Sequence, residues 1–255
     1  MLSLLNGKNG RVLLVGLDIK KIYRKIIFGE SMLGLFINPF YISRRGLLRG
    51  IRKHAKHISG GRLLDVGCGS KPYKGLLSVD EYIGLDIEKS GHDHSSSEVD
   101  VFYDGNVIPF DTDHFDHVFS SEVFEHVFNL DVLLLEINRV TKKGGTLLIT
   151  LPFCWDEHEV PFDFARYSSF GIHSILEKHG YEIISSVKTT TYIGTIFQMM
   201  AAYVSQCILP ENRYARVALT PFCVMPLTII GIVLSKLLPD NASFYLNNAV
   251  ICRKL

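Results

Sequence analysis

Four short apolar runs between Arg62 and Leu151, RLLDV, YIGLD, FDHVF and TLLITL, are separated by turn signals and by stretches that read as helix or loop. Runs of this kind, bounded by Gly, Asp or Ser, are strands buried on both faces of a parallel sheet. Strands alternating with helical stretches are βαβ units, and a succession of them winds into a doubly wound α/β sheet. A chain of 255 residues buries a full core, and one such unit with an appendage fits it better than two equal domains.

Two helices are legible beside the runs. DVLLLEINRVTKKGG carries apolar residues on a helical period, basic residues in its last turn and Gly144 beyond. In YSSFGIHSILEKHG, Ser168 or Ser169 can cap the amino end and Gly180 can close the other. YEIISSV follows as a strand, and Tyr245 to Leu255 reads as the last one.

Between those two strands lie two uncharged stretches, Thr189 to Pro210 and Val217 to Ser235. Each approaches the roughly 18 to 20 residues of a membrane span. Gln198 and Gln206 dilute the first, and Pro221 and Pro226 interrupt the second. The pattern fits a helical hairpin lying at a membrane interface or dipping into one leaflet; two buried helices over a substrate pocket are the other reading. The expected division is a basic helical segment over 1–60, a ligand-binding domain over 61–190 and 240–255, and an apolar, membrane-associated insertion over 191–239.

The total charge is +1, but residues 1–60 hold twelve Lys and Arg against two acids, a net +10 that leaves −9 for the rest. A basic segment on an acidic body is drawn to an anionic surface, and positive charge beside apolar anchors is how proteins bind anionic lipid. Solvated helix faces would produce the same run. The five cysteines are odd in number, scattered and without a CxxC pair, so neither a disulfide framework nor a zinc knuckle is expected. A reducing cytoplasm suits them. The apolar stretch near the start breaks off at Asp18 and is too short for the core of an export signal.

After the first strand, LLDVGCGSKPY turns through Gly67 and Gly69. Glycines there let the backbone adopt positive φ and approach a ligand, at the strand ends where open α/β sheets bind one. A dinucleotide loop would need GxGxxG, but Pro72 stands where the third glycine belongs. Asp65, just upstream, would repel a pyrophosphate and suits a cation; S-adenosylmethionine (SAM) carries both an ammonium and a sulfonium. Asp86, about twenty residues on, can accept both ribose hydroxyls. Asp104 can accept from an adenine amino group, or simply form a turn before Gly105.

DVGCGS, YIGLDI, DGNVIPFDTDHFDHVFSSEVFEHV and EINRVTKKGGTLLITLPF, in this order and spacing, resemble the class I SAM-dependent methyltransferases of the type-11 kind, over residues 62 to about 188. The resemblance implies a Rossmann-like sheet of seven strands with a reversed last strand pair, here carrying the apolar hairpin as an insertion. It implies that Asp65, Gly67 and Gly69 hold the methionine part of SAM, Asp86 the ribose, and Asp104 with Gly105 and Asn106 the adenine. Ser120 and Ser121 would border the methyl-donor end. The family has no fixed catalytic residue, so the resemblance stops short of the acceptor.

The segment PFCWDEHEVPFDFARYSSF crowds Trp155, His158, Asp163, Arg166 and Tyr167 beside the expected methyl site. Some bacterial members of the family, including ones thought to act on sugars or surface polymers, carry a similar HEVPxDFxRY stretch. If the acceptor is a hydroxyl, His158 or Asp163 is the candidate base. Arg166 can clamp an acidic group on the substrate, with Tyr167 and His126 lining the pocket. A lid in which Asp163 pairs with Arg166 and the aromatics pack is the alternative. His92 and His94 lack a third ligand, and no metal site is expected from them.

The leading expectation is therefore methyl transfer from SAM to a small or lipid-linked acceptor, of glycan or polyprenyl type, on the cytoplasmic face of an anionic membrane. A non-catalytic assembly partner of the same fold is a second reading. An RNA methyltransferase is a third, disfavoured because residues 1–60 show no stacking-aromatic pattern.

Overall fold

The four runs become the interior of one seven-stranded sheet in the computed structural model, which describes residues 19–88 and 98–255. The apolar start with Lys8 and Arg11, and the pair His92 and His94, lie outside the described residues. The strands are β1 (Arg62–Val66), β2 (Glu81–Ile87), β3 (Val101–Tyr103), β4 (Phe115–Ser121), β5 (Thr141–Pro152), β6 (Tyr181–Lys188) and β7 (Asn247–Lys254), in spatial order β3-β2-β1-β4-β5-β7-β6. The first five run parallel, and β7 enters antiparallel to both β5 and β6. The expected reversal at the end of the sheet is thus present, carried by β7. Strand order turns back between β1 and β4, which opens a crevice at their carboxyl ends.

Successive residues of each strand face opposite layers. Leu63, Leu148 and Ile251 point to one face, where Leu48 and Ile51 of α3 (Tyr41–His54) pack with Phe119. Close approach there demands small residues: a Cβ on Gly50 would stand 2.9 Å from that of Ala249, and one on Gly46 would stand 2.9 Å from the Thr189 carbonyl oxygen. Leu64, Leu147 and Val250 point the other way, onto α4 (Leu130–Val140) and α5 (Ser169–Lys178). Two short helices, α1 (Ile19–Ile27) and α2 (Gly34–Ile37), precede α3. The Ser168 hydroxyl caps α5, accepting from the Gly171 amide at 3.1 Å. Lys142, Lys143 and Gly144 belong to β5 and not to the end of α4: Thr141 already pairs with Phe115, and Lys142 holds Asp116 at 2.7 Å.

Between β6 and β7 the chain forms α6 (Tyr192–Tyr203), a π-helical turn over Val204–Ile208, α7 (Arg213–Cys223) and α8 (Met225–Leu237). A Cβ on Gly231 of α8 would stand 2.4 Å from that of Phe197, which sets how closely α6 and α8 approach. Gln198 is no mere dilution of an apolar run. It is buried, accepts from the Ser43 amide at 3.1 Å and donates to the Pro39 carbonyl at 2.9 Å, fastening α6 to the start of α3. Helices α7 and α8 run on as one stretch of 25 residues, long and apolar enough to cross a membrane by length and composition and only 22% buried in its most apolar window.

Candidate active site

The chain leaves β1 through Gly67 at φ +71° and Gly69 at φ +46°. At Gly67 a Cβ would stand 2.4 Å from Cγ2 of Val123, so the loop after β4 seats directly on this turn. Among the described residues, chain neighbours aside, no heavy atom lies within 4 Å of where a Cβ would stand on Gly69, which leaves open space beside the loop. Asp86 braces that side: its carboxylate accepts from the Gly69 amide at 3.1 Å and from its neighbour Ile87 at 2.9 Å. Arg24 of α1 reaches over the loop and donates to the carbonyls of Ser70 at 2.5 Å and Lys71 at 3.2 Å.

Beneath the loop, buried Asp65 accepts from the Tyr82 hydroxyl at 2.5 Å, and burial pushes its carboxyl up to about 7. Lys71, left-handed at φ +49°, lays its side chain under the turn and pairs with Asp100. A Cβ on Gly84 would stand 2.3 Å from Lys71 Cε, so β2 gives up a side chain to admit the lysine. The missing third glycine finds its explanation here. A single 3-10 turn, Lys74–Leu76, follows the loop instead of a long helix, and no close helix packing requires it.

Other expected cofactor residues have local work to do. Asp104 closes its own turn, accepting from the amides of Asn106 at 2.9 Å and Val107 at 3.1 Å, and these bonds, Asn106 first, hold its carboxyl below the ordinary value. Gly105, at φ +85°, and Asn106 form the exposed tip of that turn. Ser120 lies within β4; buried, it donates to the Val66 carbonyl at 2.9 Å and so ties β4 to β1.

The acceptor-side residues fall together at the loop joining β5 to α5. Arg166 grips Asp163 with both terminal nitrogens, at 2.5 and 2.6 Å, and also donates to the carbonyls of Ala165 and Asp156. This pairing holds the Asp163 carboxyl down to about 2. A carboxylate so strongly held is a poor proton acceptor, which counts against Asp163 as the base that the sequence offered. It takes the His158 amide at 2.9 Å and lies 3.2 Å from His158 Nδ1, while both terminal nitrogens of Arg166 are engaged and only its buried Nε has no hydrogen-bond partner. Tyr167 packs its ring against the apolar layer under α4 and α5 rather than into a pocket. His126 sits in a 3-10 turn over Phe124–His126, ahead of α4, and its Nδ1 bonds the Phe162 carbonyl at 2.7 Å. Its ring lies edge-on to that of His158, 4.8 Å between centroids.

Sequence reasoning missed the two acids of SSEVFEHV. Glu122 accepts from the Asn247 side chain at 2.6 Å, and burial pushes it up to about 7. Glu125 is fully buried, and burial raises its carboxyl well above the ordinary value. Two acids three apart in an apolar segment were the available signal.

The crevice suits SAM by its donor set. An open cradle at Gly69, a carboxylate at the end of β2 and a buried acid under the turn complement a ligand with a ribose and a cationic methionine end. Residues 64–149 match the family model described as "Methyltransferase domain". The match identifies this segment as a methyltransferase domain, and the segment is similar to the class I SAM-dependent methyltransferases. The chain is 32% identical over 104 residues, 36% of its length, to the fatty-acid O-methyltransferase of Mycolicibacterium smegmatis. The chain spans 38% of the length of that curated relative. The fold is shared with a Haemonchus contortus phosphoethanolamine N-methyltransferase solved with SAM, at TM-score 0.51 and 19% identity over 87% of this chain and 55% of that one. It is shared equally with the [4+2]-cyclase SpnF, at TM-score 0.52 and 17% identity over 83% of this chain and 81% of that one. A fold common to a methyltransferase and a cyclase leaves the acceptor chemistry to the site.

Proposed function

We propose that this chain transfers the methyl group of SAM to an oxygen of a small or lipid-linked acceptor, working on the cytoplasmic face of an anionic membrane. SAM supplies the electrophilic methyl group, whose displacement demands above all alignment of donor and acceptor. The chain's own residues supply that alignment: the Gly67 to Gly69 turn and Asp86 on the donor side, and His158, oriented by Asp163, on the acceptor side. The oxygen acceptor draws support from the fatty-acid O-methyltransferase of M. smegmatis, 32% identical to this chain over 104 residues.

The observation that carries the membrane reading is the exposed apolar face of α7 and α8. Phe222 is 77% exposed and Leu237 73%, with Ile230 and Val233 also exposed between them. A contiguous face of this kind on a soluble surface marks a lipid or protein contact. Arg49, Arg52 and Lys53 of neighbouring α3 are exposed as well. The insertion also reaches the acceptor loop, where Gln206 donates to the Asp156 carboxylate at 3.1 Å. An acceptor held in a bilayer would thereby be delivered beside His158.

The test combines cosedimentation with vesicles of phosphatidylglycerol and phosphatidylcholine, and transfer of labelled methyl from SAM into a lipid extract. Binding that weakens on Phe222→Ser with Ile230→Ser, and label in the organic phase, are expected. Full recovery of the unaltered chain in the supernatant would remove the membrane part; no transfer to any lipid or fatty acid would remove the acceptor class.

A further inference from the structure

Glu125, His126 and His158 bring one donor atom each to within 4.8 Å of the others. From this geometry we infer a binding site for a divalent transition-metal ion of the zinc class, built from one carboxylate and two imidazoles beside the acceptor loop. None of these three side chains is one that the family resemblance assigns to SAM, and Val123 of the same segment packs on Gly67.

Three observations lead there independently. The first is Glu125, whose side chain is 0% exposed and has no hydrogen-bond partner at either carboxylate oxygen. An ionised carboxylate in that position is heavily penalised unless a cation meets it, and a protonated one would still need an acceptor for its hydroxyl. Among the described residues nothing serves either form.

The second is the arrangement of the imidazoles. His126 bonds the Phe162 carbonyl through Nδ1, and His158 Nδ1 stands 3.2 Å from both the Asp156 carbonyl and the Asp163 carboxylate. Each ring therefore carries its proton on Nδ1 and turns the Nε2 lone pair away from these anchors; the Nε2 of His126 is buried and unpartnered. Histidines that hold metals are fixed in this way, with the outer nitrogen donating to a carbonyl or carboxylate. The Asp163–Arg166 pair thus gains a purpose as the support of one ligand.

The third is distance and charge. His126 Nε2 lies 3.8 Å from a Glu125 oxygen and 3.5 Å from one of Glu159, so a second carboxylate borders the three-ligand site. Donors around a tetrahedral zinc ion sit about 3.3 Å apart, so donors up to 4.8 Å apart close on the ion by rotation of their side chains. Glu159 beside His126 adds negative charge, while Asp163 is already balanced by Arg166. Mixed nitrogen and carboxylate donors favour zinc and its first-row neighbours over calcium or magnesium. His158 is 31% exposed, which keeps the site open to solvent. An ion held here has a position left for an oxygen of the acceptor, a role that rests on the methyl-transfer reading above.

The test uses the full chain, treated with chelator, dialysed and titrated with Zn2+ by calorimetry and with Co2+ by visible absorption. One ion per chain is expected, with the intense d–d bands of a low-coordinate cobalt site. Glu125→Gln and His158→Asn are each expected to weaken Zn2+ binding by roughly 100-fold, as loss of a ligand does, while His57→Ala leaves it unchanged. Should Glu125→Gln fail to fold, His158→Asn decides alone, since that residue lies in a partly exposed loop. Absence of a saturable Zn2+ or Co2+ site in the unaltered chain, or affinity untouched by these substitutions, overturns the inference. SAM binding measured in parallel reports on the methyl-transfer reading separately, because neither metal titration contains SAM.

Discussion

Arg166 holds Asp163 through two parallel bonds of 2.5 and 2.6 Å, and the same carboxylate takes the His158 amide at 2.9 Å. The pair is the hub of the loop joining β5 to α5. Asp163→Asn keeps the shape but removes the charge, and it leaves a partly buried guanidinium without its counterion. A loss of about 2 kcal/mol is expected. Thermal unfolding would register it, and the loss should shrink toward acid pH. The Asp163 carboxyl is held down to about 2, so its contribution is present above the ordinary carboxylate range and fades as pH falls through that value. An unchanged melting temperature at neutral pH would show the pair to be idle.

Gly67 and Val123 make the second test. Alanine at Gly67 meets Val123 Cγ2 at 2.4 Å and must also hold φ +71°. The clash and the left-handed backbone together should cost about 2–4 kcal/mol. Adding Val123→Ala removes the clash and not the backbone strain, so stability should recover in part only. Full recovery in the double variant would mean that the backbone conformation carries no penalty.

The central sheet was legible because each buried strand writes its apolar run without interruption, and the turn at Gly67 and Gly69 because few residues other than glycine tolerate it. Position within the site was less so. Asp104 reads as a ligand or as a turn with the same three letters, and only its bonds to Asn106 and Val107 show which work its carboxylate already does. Arg166 and Asp163 are three residues apart, a spacing that signals a pair as readily as two separate functions. Glu125 was invisible because burial is a property of the packed layer under α4, not of the segment SSEVFEHV. Gln198 looked like a flaw in an apolar run because its partners, Ser43 and Pro39, lie far off in the chain.

Asp86 offers the cleanest probe of the donor side. Its substitution by alanine removes the carboxylate expected to receive the ribose hydroxyls and also frees the Gly69 amide. Charged hydrogen bonds of this kind are worth about 2–3 kcal/mol, roughly a 30- to 150-fold loss of SAM affinity by calorimetry. Asp104→Ala should cost less, since that carboxylate already serves its own turn. Equal losses at both positions would place the adenine on Asp104 after all.

Asp65 makes SAM binding depend on pH. Burial pushes its carboxyl up to about 7 from an ordinary value of 3.8, against the opposing pull of the Tyr82 hydroxyl and Lys71. Since the folded value is the higher one, the protonated form favours folding. Stability from this group is therefore full below about 4 and is lost as pH rises to about 7. A cationic methionine end beside the loop reverses the preference, because it favours the carboxylate. SAM affinity should therefore rise between pH 5.5 and 7.5 by roughly tenfold and then level off, with proton release on binding that diminishes above about pH 7. Calorimetry in buffers of different ionisation enthalpy measures that release directly. Tyr82→Phe removes the one hydroxyl that favours the ionised acid, so the rise should move to higher pH. A flat affinity profile in both proteins would detach Asp65 from the cofactor.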